Sequence, residues 1–168
     1  MRLVQHHDAR VLADQADLWN DLWERSTIAA PSARAEQIAN WIGAYAADEP
    51  FYAVTVNDGE RLVAALPLVG RRMKHLVRVG MLPHNEWTSG GELLVDPQAD
   101  VAAALDCLCE GVADMPWPLL WLDEIPLDAP NWVAFRAALE RAKMSFEATR
   151  MASTAQVAAS PAASTRTP

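Results

Sequence analysis

The chain has 168 residues, 51% hydrophobic and 21% charged, a composition typical of one globular domain. Its formal net charge of −8 argues against general nucleic-acid binding, which needs surplus Lys and Arg to neutralise phosphates. The longest apolar run, residues 62–70, is too short to span a bilayer, and the N-terminus lacks the apolar core of a signal peptide. We therefore expect a soluble, cytoplasmic protein.

The first fifty residues predict a short strand and two helices. Residues 2–7 favour the strand. Between Asp8 and Arg25, apolar side chains recur every three or four positions, as on one face of a helix: Leu12, Ala16, Trp19, Leu22 and Trp23. Ser32 is a suitable cap for a second helix that runs to about Ala46. Its inward side chains are predicted to be Ile38, Trp41, Ile42 and Tyr45.

Residues 51–69 carry the clearest strand pattern and predict a β-hairpin at the centre of the fold. Two apolar, β-prone runs flank an Asn-Asp-Gly turn at 57–59, where glycine can take a positive φ without strain. The second run is almost entirely apolar over 62–66, which indicates that other elements cover both of its faces. Because Pro67 cannot donate to a ladder, we expect it where the strand ends, bulges or leaves the sheet.

The second half of the chain predicts alternating strands and helices. Strands are predicted at 75–79, 92–95, 119–125 and 145–151. One helix should begin at Asp100 and end before Pro116, and another should begin near Pro130. We therefore expect an α/β protein with a mixed sheet and flanking helices over residues 1–150. The Ala/Ser/Thr/Pro-rich tail at 151–168 is predicted to be disordered, or a strand without its neighbours.

A cluster of basic residues stands out on this acidic chain. Five of them, with no acid between, lie within 61–85: Arg61, Arg71, Arg72, Lys74 and Arg78. Such a patch could attract a phosphate-bearing ligand or an acidic partner, with Arg71 and Arg72 binding substrate. The alternative is a solvated strand edge whose charges discourage edge-to-edge pairing.

The loop at 83–87, Pro-His-Asn-Glu-Trp, is the first candidate site. Histidine is the side chain that titrates near neutrality, and in this loop Glu86 could orient His84 or itself act as a base. Asn85 could donate to a developing oxyanion, and Trp87 offers a flat face for a sugar or acyl group. The alternative is a surface loop with a half-buried tryptophan.

Asp123 and Glu124, at the end of the predicted strand 119–125, form the second candidate site. Acids that leave an apolar strand often line a cleft at the end of a sheet. Glu124 could instead cap a loop or pair with Arg136.

Other residues with reactive side chains give no recognisable pattern. The histidines at 6, 7 and 75 lack metal-ligand spacing to cysteines or carboxylates, so no metal site is predicted. Ser89 lacks the context of a nucleophile elbow. Cys107 and Cys109 would point apart on a helix, so we expect two free, buried or half-buried thiols.

Taken in order, several motifs resemble one known family. They are W-N-D-L-W, A-N-W-I-G-A-Y, R-L-V-A-A-L-P-L, V-G-M-L-P-H-N-E-W, L-L-W-L-D-E-I-P and W-x-x-F-x-x-A-L. The set, over about residues 1–150, resembles the N-terminal half of CelD/BcsL-like acetyltransferases. This is a branch of the GNAT superfamily associated with cellulose and other exopolysaccharide biosynthesis.

The resemblance implies a GNAT-like fold and acyl transfer from acetyl-CoA to a hydroxyl or amine, for example on a saccharide. For such a transfer, the candidate residues proposed above are His84, Glu86 and Glu124 for catalysis, and Asn85, Trp87, Asp123, Arg71 and Arg72 for substrate binding. The Gln/Arg-x-x-Gly-x-Gly/Ala loop that holds the acetyl-CoA pyrophosphate at a helix N-terminus has no counterpart here. We therefore expect an incomplete fold, with the acetyl-CoA site mostly in a missing C-terminal half or a self-associated copy. The alternative is a non-catalytic, degenerate GNAT-like binding module.

Overall fold

The computed structural model describes residues 1–28, 30–73, 76–85 and 91–149. Its elements are β1 (Arg2–His6), α1 (Val11–Asp14), α2 (Ala16–Arg25), α3 (Ala35–Tyr45), β2 (Phe51–Asp58), β3 (Arg61–Met73), β4 (Val77–Met81), β5 (Leu94–Val95), α4 (Val101–Ala113) and α5 (Pro130–Arg141). The expected α/β fold with flanking helices is confirmed, but the strand pairs of the sheet are antiparallel rather than mixed. Within the described ranges, no helix is both long and apolar enough to cross a membrane.

The sheet separates two hydrophobic cores. Its strands run in the order β1-β2-β3-β4, each antiparallel to the next, and β5 also pairs with β3. One core, which includes Trp132 and Phe135, lies between the sheet and the helices α4 and α5. The other, which includes Trp19 and Trp41, lies under α1, α2 and α3. Burying such aromatic side chains on both faces explains why β3 is apolar on both sides.

The central hairpin forms as predicted. Asp58 pairs with Arg61, so the connection is a two-residue loop in which Gly59 has a φ of +61°. Only glycine adopts this backbone conformation freely, which explains the turn residue. A register shift after Val56 lets the two strands accommodate the turn.

The prediction for Pro67 is wrong, because β3 continues straight through it to Met73. Gly70 N–H donates to Pro50 O, just before β2, at 2.8 Å. Strand backbone groups alternate in direction, so the nitrogen of Pro67 faces the opposite side, toward β4 and β5. There it falls between the last β5 pair at Ala65 and the first β4 pair at Val69. No ladder hydrogen bond is lost at that position.

The N-terminal helical region differs from the prediction in three details. The single helix is interrupted at Gln15, whose φ of −121° and ψ of 27° are not helical. Helix α3 begins after Arg34 rather than Ser32, and Asn20 Oδ1 accepts the Ala35 N–H at 3.0 Å. Tyr45, expected to face inward, is 54% exposed at the end of the helix. Capping by a side chain from another helix cannot be read from local sequence.

Both later helices form close to their predicted starts. Asp100 caps α4, its Oδ1 accepting the Ala103 N–H at 3.1 Å, and Pro130 occupies the first turn of α5. Cys107 is half-buried and Cys109 is buried on α4, and neither is in a disulfide, as expected. The strands predicted at 75–79 and 92–95 are present but shifted, at 77–81 and 94–95.

The strand predicted at 119–125 is wrong as a regular element. Only Leu120 makes a bridge, a parallel one to Gly80 of β4, while Leu119 and Trp121 are 47% and 42% exposed. The two segments are thus joined by an isolated bridge rather than by a ladder. Likewise, residues 145–149 form no strand, and residues 150–168, with the predicted tail, lie outside the described residues.

Candidate functional site

The candidate site lies beside the bridge that joins Gly80 of β4 to Leu120. Gly80 N–H donates to Leu119 O at 3.0 Å, and Trp121 N–H donates to Gly80 O at 2.8 Å, so the backbones run side by side at this point. Trp117 packs directly against Gly80, and a Cβ there would lie 2.7 Å from Trp117 Cζ3. A side chain at position 80 would therefore separate the two segments.

Beyond this bridge, the two candidate regions of the sequence meet. His84 Nε2 and Asp123 Oδ1 are 2.5 Å apart, although the residues are 39 positions apart in the chain. The two side chains are 11% and 24% exposed. His84 Nδ1 is buried and has no hydrogen-bond partner among the described residues. The His84–Asp123 contact thus joins the two segments a second time beyond the bridge between Gly80 and Leu120.

A small cavity of about 70 Å³ lies beside this contact. Its lining combines apolar and titratable side chains: Leu82, His84, Gly91, Glu92, Asp123, Glu124 and Ile125. Three carboxyl groups therefore share one cavity with one imidazole. Among the described lining residues there is no Lys or Arg, so the cavity favours a cationic ligand over an anionic one.

Glu92 is the member of this group that sequence reasoning missed. Its Oε1 accepts the Trp132 indole N–H at 2.6 Å and its neighbour's backbone N–H, of Leu93, at 3.0 Å. Burial raises the pKa of Glu92, and hydrogen bonding opposes part of that rise. The only sequence signal was an acid placed just before an apolar run, which also suits an ordinary strand start.

Glu124 has an unusual backbone conformation. Its φ is +56°, a left-handed conformation that a non-glycine residue adopts at some cost in free energy. The suggested pairing of Glu124 with Arg136 is not the contact that Arg136 makes. Arg136 Nη2 donates instead to Leu127 O at 3.2 Å. Glu124 is exposed and lines the cavity, so its carboxylate is accessible from solvent.

The structure does not place the basic candidates in this cavity. Arg71 and Arg72 lie near the far end of β3, where Arg72 pairs directly with Arg78 of β4. Like charges in direct cross-strand pairs repel, which fits the solvated-edge alternative. Arg61, at the other end of β3, pairs with the buried Asp96 at 2.8 Å. Lys74 lies outside the described residues.

The remaining loop candidates are only partly described. Asn85 is half-buried at the end of a described range, immediately after His84. Glu86 and Trp87 lie outside the described residues. Their suggested roles as base and as ligand platform stay predictions.

Comparison with known proteins extends this description of the fold. No protein-family model and no curated protein matches the chain. Among solved structures, a probable acetyltransferase matches with 14% identity and a TM-score of 0.52, over 96% of this chain and 99% of that one. The chain thus shares its overall fold with that probable acetyltransferase.

Two further structures are similar at lower scores. Glucosamine-6-phosphate N-acetyltransferase from Arabidopsis thaliana matches with 12% identity and a TM-score of 0.48, over 92% of this chain and 99% of that one. Ribosomal-protein-alanine N-acetyltransferase from Brucella melitensis biovar Abortus 2308 matches with 15% identity and a TM-score of 0.45, over 94% and 99%.

Proposed function

We propose that the protein is a GNAT-type acyltransferase whose cavity receives an amine-bearing acceptor. The observation that carries this proposal is the convergence of His84, Glu92, Asp123 and Glu124 beside the bridge between β4 and the segment at 119–122. Acyl transfer to an amine needs a group that takes a proton from the acceptor. This cavity supplies carboxylates for that step on a fold shared with a probable acetyltransferase.

The charge of the lining favours one class of acceptor. An ammonium group would be attracted by three carboxyl groups, whereas a phosphate would meet no cation among the described lining residues. The resemblance to CelD/BcsL-like enzymes suggests a polysaccharide precursor. An amino sugar, or another saccharide that carries a free amine, satisfies both considerations, and we propose this class ahead of a neutral hydroxyl acceptor.

Acetyl-CoA is the proposed acyl donor, and it would supply the thioester that the amine attacks. The start of α4 does not fit its pyrophosphate, because the Asp100 carboxylate already accepts the Ala103 N–H there. Arg25 and Arg61 do not fit it either, because both are engaged with the buried Asp96. A phosphate cradle would have to come from elsewhere, and a second GNAT-like half or a second copy is the proposed source.

The first experiment is thermal unfolding of the 168-residue chain with and without excess acetyl-CoA, followed by product analysis with glucosamine as acceptor. A ligand at about 100 times its dissociation constant adds about 2.7 kcal/mol of stability, which is a clear shift in Tm. A shift together with N-acetylated product would support the proposal. A cooperatively folded protein with neither shift nor product would contradict it for the chain alone.

One observation favours a second candidate, a non-catalytic GNAT-like interaction module. Leu119 and Trp121 are both large, exposed apolar side chains on a segment that bridges β4 at a single position. Apolar side chains beside an open edge are typical of surfaces that receive another chain. Light scattering separates the candidates: a stable complex or dimer without turnover favours the module.

A further inference from the structure

We propose that Glu92 is the residue that takes the proton from the acceptor amine, and that Trp132 of α5 holds its carboxylate in position. The inference rests on the proposed acyl transfer and goes beyond it by assigning the base. No sequence motif pointed to Glu92. What distinguishes it from the other cavity carboxyl groups is that a buried indole and a backbone N–H hold it in place.

His84 has no nitrogen available in this arrangement. Its Nε2 lies 2.5 Å from Asp123 Oδ1, and its Nδ1 is buried away from solvent. A base must come within hydrogen-bond reach of the proton that it removes. The geometry therefore gives His84 and Asp123 a positioning role, which is to tie together the two segments that form the cavity.

Glu92 has the opposite geometry. The Trp132 indole and the Leu93 N–H both donate to the same oxygen, Oε1, at 2.6 and 3.0 Å. The Asn131 amide also lies near enough to lower the pKa of Glu92, but its Nδ2 donates to Leu93 O at 2.7 Å. Trp132 is itself only 1% exposed, so its indole is held by the core and cannot follow a moving side chain. The result is a carboxylate that is fixed through Oε1 and lines the cavity.

The surroundings of Glu92 also suit a base. Burial raises its pKa, and a carboxylate with greater proton affinity accepts a proton more readily from an ammonium group. The titratable groups that share the cavity are His84, Asp123 and Glu124, while α5 contributes only uncharged polar groups beside Glu92. In the step itself, an ammonium N–H bond breaks, Glu92 becomes a carboxylic acid, and the amine keeps the electron pair for attack on the thioester. The proton then passes to water.

The matched pair of variants is Glu92→Gln and Glu140→Gln, because each change removes one carboxylate and Glu140 is an exposed residue of α5 that does not line the cavity. The amide introduced by Glu92→Gln retains an oxygen for both donors, so the fold should be preserved. We expect Glu92→Gln to lower kcat for an amine acceptor by about 10²–10⁴-fold. Glu140→Gln should leave kcat nearly unchanged, since that carboxylate is exposed and lies outside the cavity lining.

A second readout does not depend on turnover. Because folding raises the pKa of Glu92, its ionised form opposes folding above its unfolded pKa. Glu92→Gln should therefore raise Tm at pH 7. The difference in Tm between the variant and the wild type should vanish below about pH 4, where the unfolded carboxyl is also protonated. A purely structural Glu92 would give a variant that is less stable at pH 7.

The role of the indole has its own test. Trp132→Phe removes a donor that lowers the pKa of Glu92, so it should move the lower limb of the kcat/KM profile to higher pH. A pH profile unchanged by Trp132→Phe would overturn the positioning role of Trp132.

The outcomes distinguish this inference from the function on which it rests. Transfer by the wild-type chain that survives Glu92→Gln would overturn the assignment of the base and leave the proposed function standing. A folded wild-type chain with no transfer to any amine would overturn both.

Discussion

Asp96 offers the sharpest test of how the region around the cavity is held together. It immediately follows β5, on the same segment as Glu92, and its side chain is completely buried. Arg25 of α2 and Arg61 of β3 both pair with it, Arg61 at 2.8 Å. The Gln98 N–H donates to its other oxygen at 2.9 Å.

The expected cost of breaking this arrangement follows from the exposure of each partner. Asp96→Ala leaves Arg25, whose side chain is 17% exposed, without its buried carboxylate. Removing one member of a buried ion pair typically costs about 3–5 kcal/mol. Arg25 keeps Asp21 and Leu62 O as partners, so the cost should lie toward the lower end of that range. Arg61 is 47% exposed, so Arg61→Ala should cost only about 0–1 kcal/mol.

Urea unfolding of the wild-type chain and of the two single variants measures both values, and a cycle that adds Arg25→Ala isolates the coupling between Arg25 and Asp96. Since small domains have about 5–15 kcal/mol of total stability, Asp96→Ala should lose a large share of it. A cost below about 1 kcal/mol for Asp96→Ala, or equal costs for Asp96→Ala and Arg61→Ala, would refute the reasoning from burial.

Single contacts lead to three further predictions. Gly80→Val should destabilise the fold by about 1–3 kcal/mol, because its Cβ would press on Trp117, and unchanged urea unfolding would contradict the close approach. Burial raises the pKa of Cys109 to about 11, so iodoacetamide at about pH 8 should label the half-buried Cys107 first and reach Cys109 only on unfolding, as mass spectrometry would show. Asp123→Asn weakens a charge-assisted bond to the imidazole and should cost about 1–2 kcal/mol of unfolding free energy, whereas an equal or higher Tm would count against that bond.

The elements that local sequence predicted well are those whose signals are local. The central hairpin follows from two β-prone runs around a glycine with positive φ, and α4 follows from its Asp100 cap. The errors arise where the answer depends on neighbours. Pro67 stays inside β3 because its nitrogen faces a gap between two other strands. Residues 119–125 look like a strand but make one isolated bridge, to Gly80 of β4.

The candidate site, too, was only partly predictable from the sequence. The types of residue at His84 and Asp123 indicated chemistry, but only the packed chain brings their side chains to 2.5 Å. Glu92 gave no distinctive signal, because its pKa is raised by burial in the folded chain and its indole partner, Trp132, is distant in sequence. By charge alone, Arg71 and Arg72 were candidates for binding a ligand. The register of β3 with β4 places them outside the cavity lining.

By itself, the sequence determined the fold class, the central hairpin and the lack of a glycine-rich phosphate loop, because turn chemistry, capping and periodicity act over a few neighbouring residues. The tertiary structure alone decided which strands pair, which residue bridges Gly80, and which carboxylate is desolvated. Desolvation and long-range pairing depend on residues that are tens of positions apart along the chain. No local pattern encodes them, so the pKa of Glu92 is raised only when the chain folds.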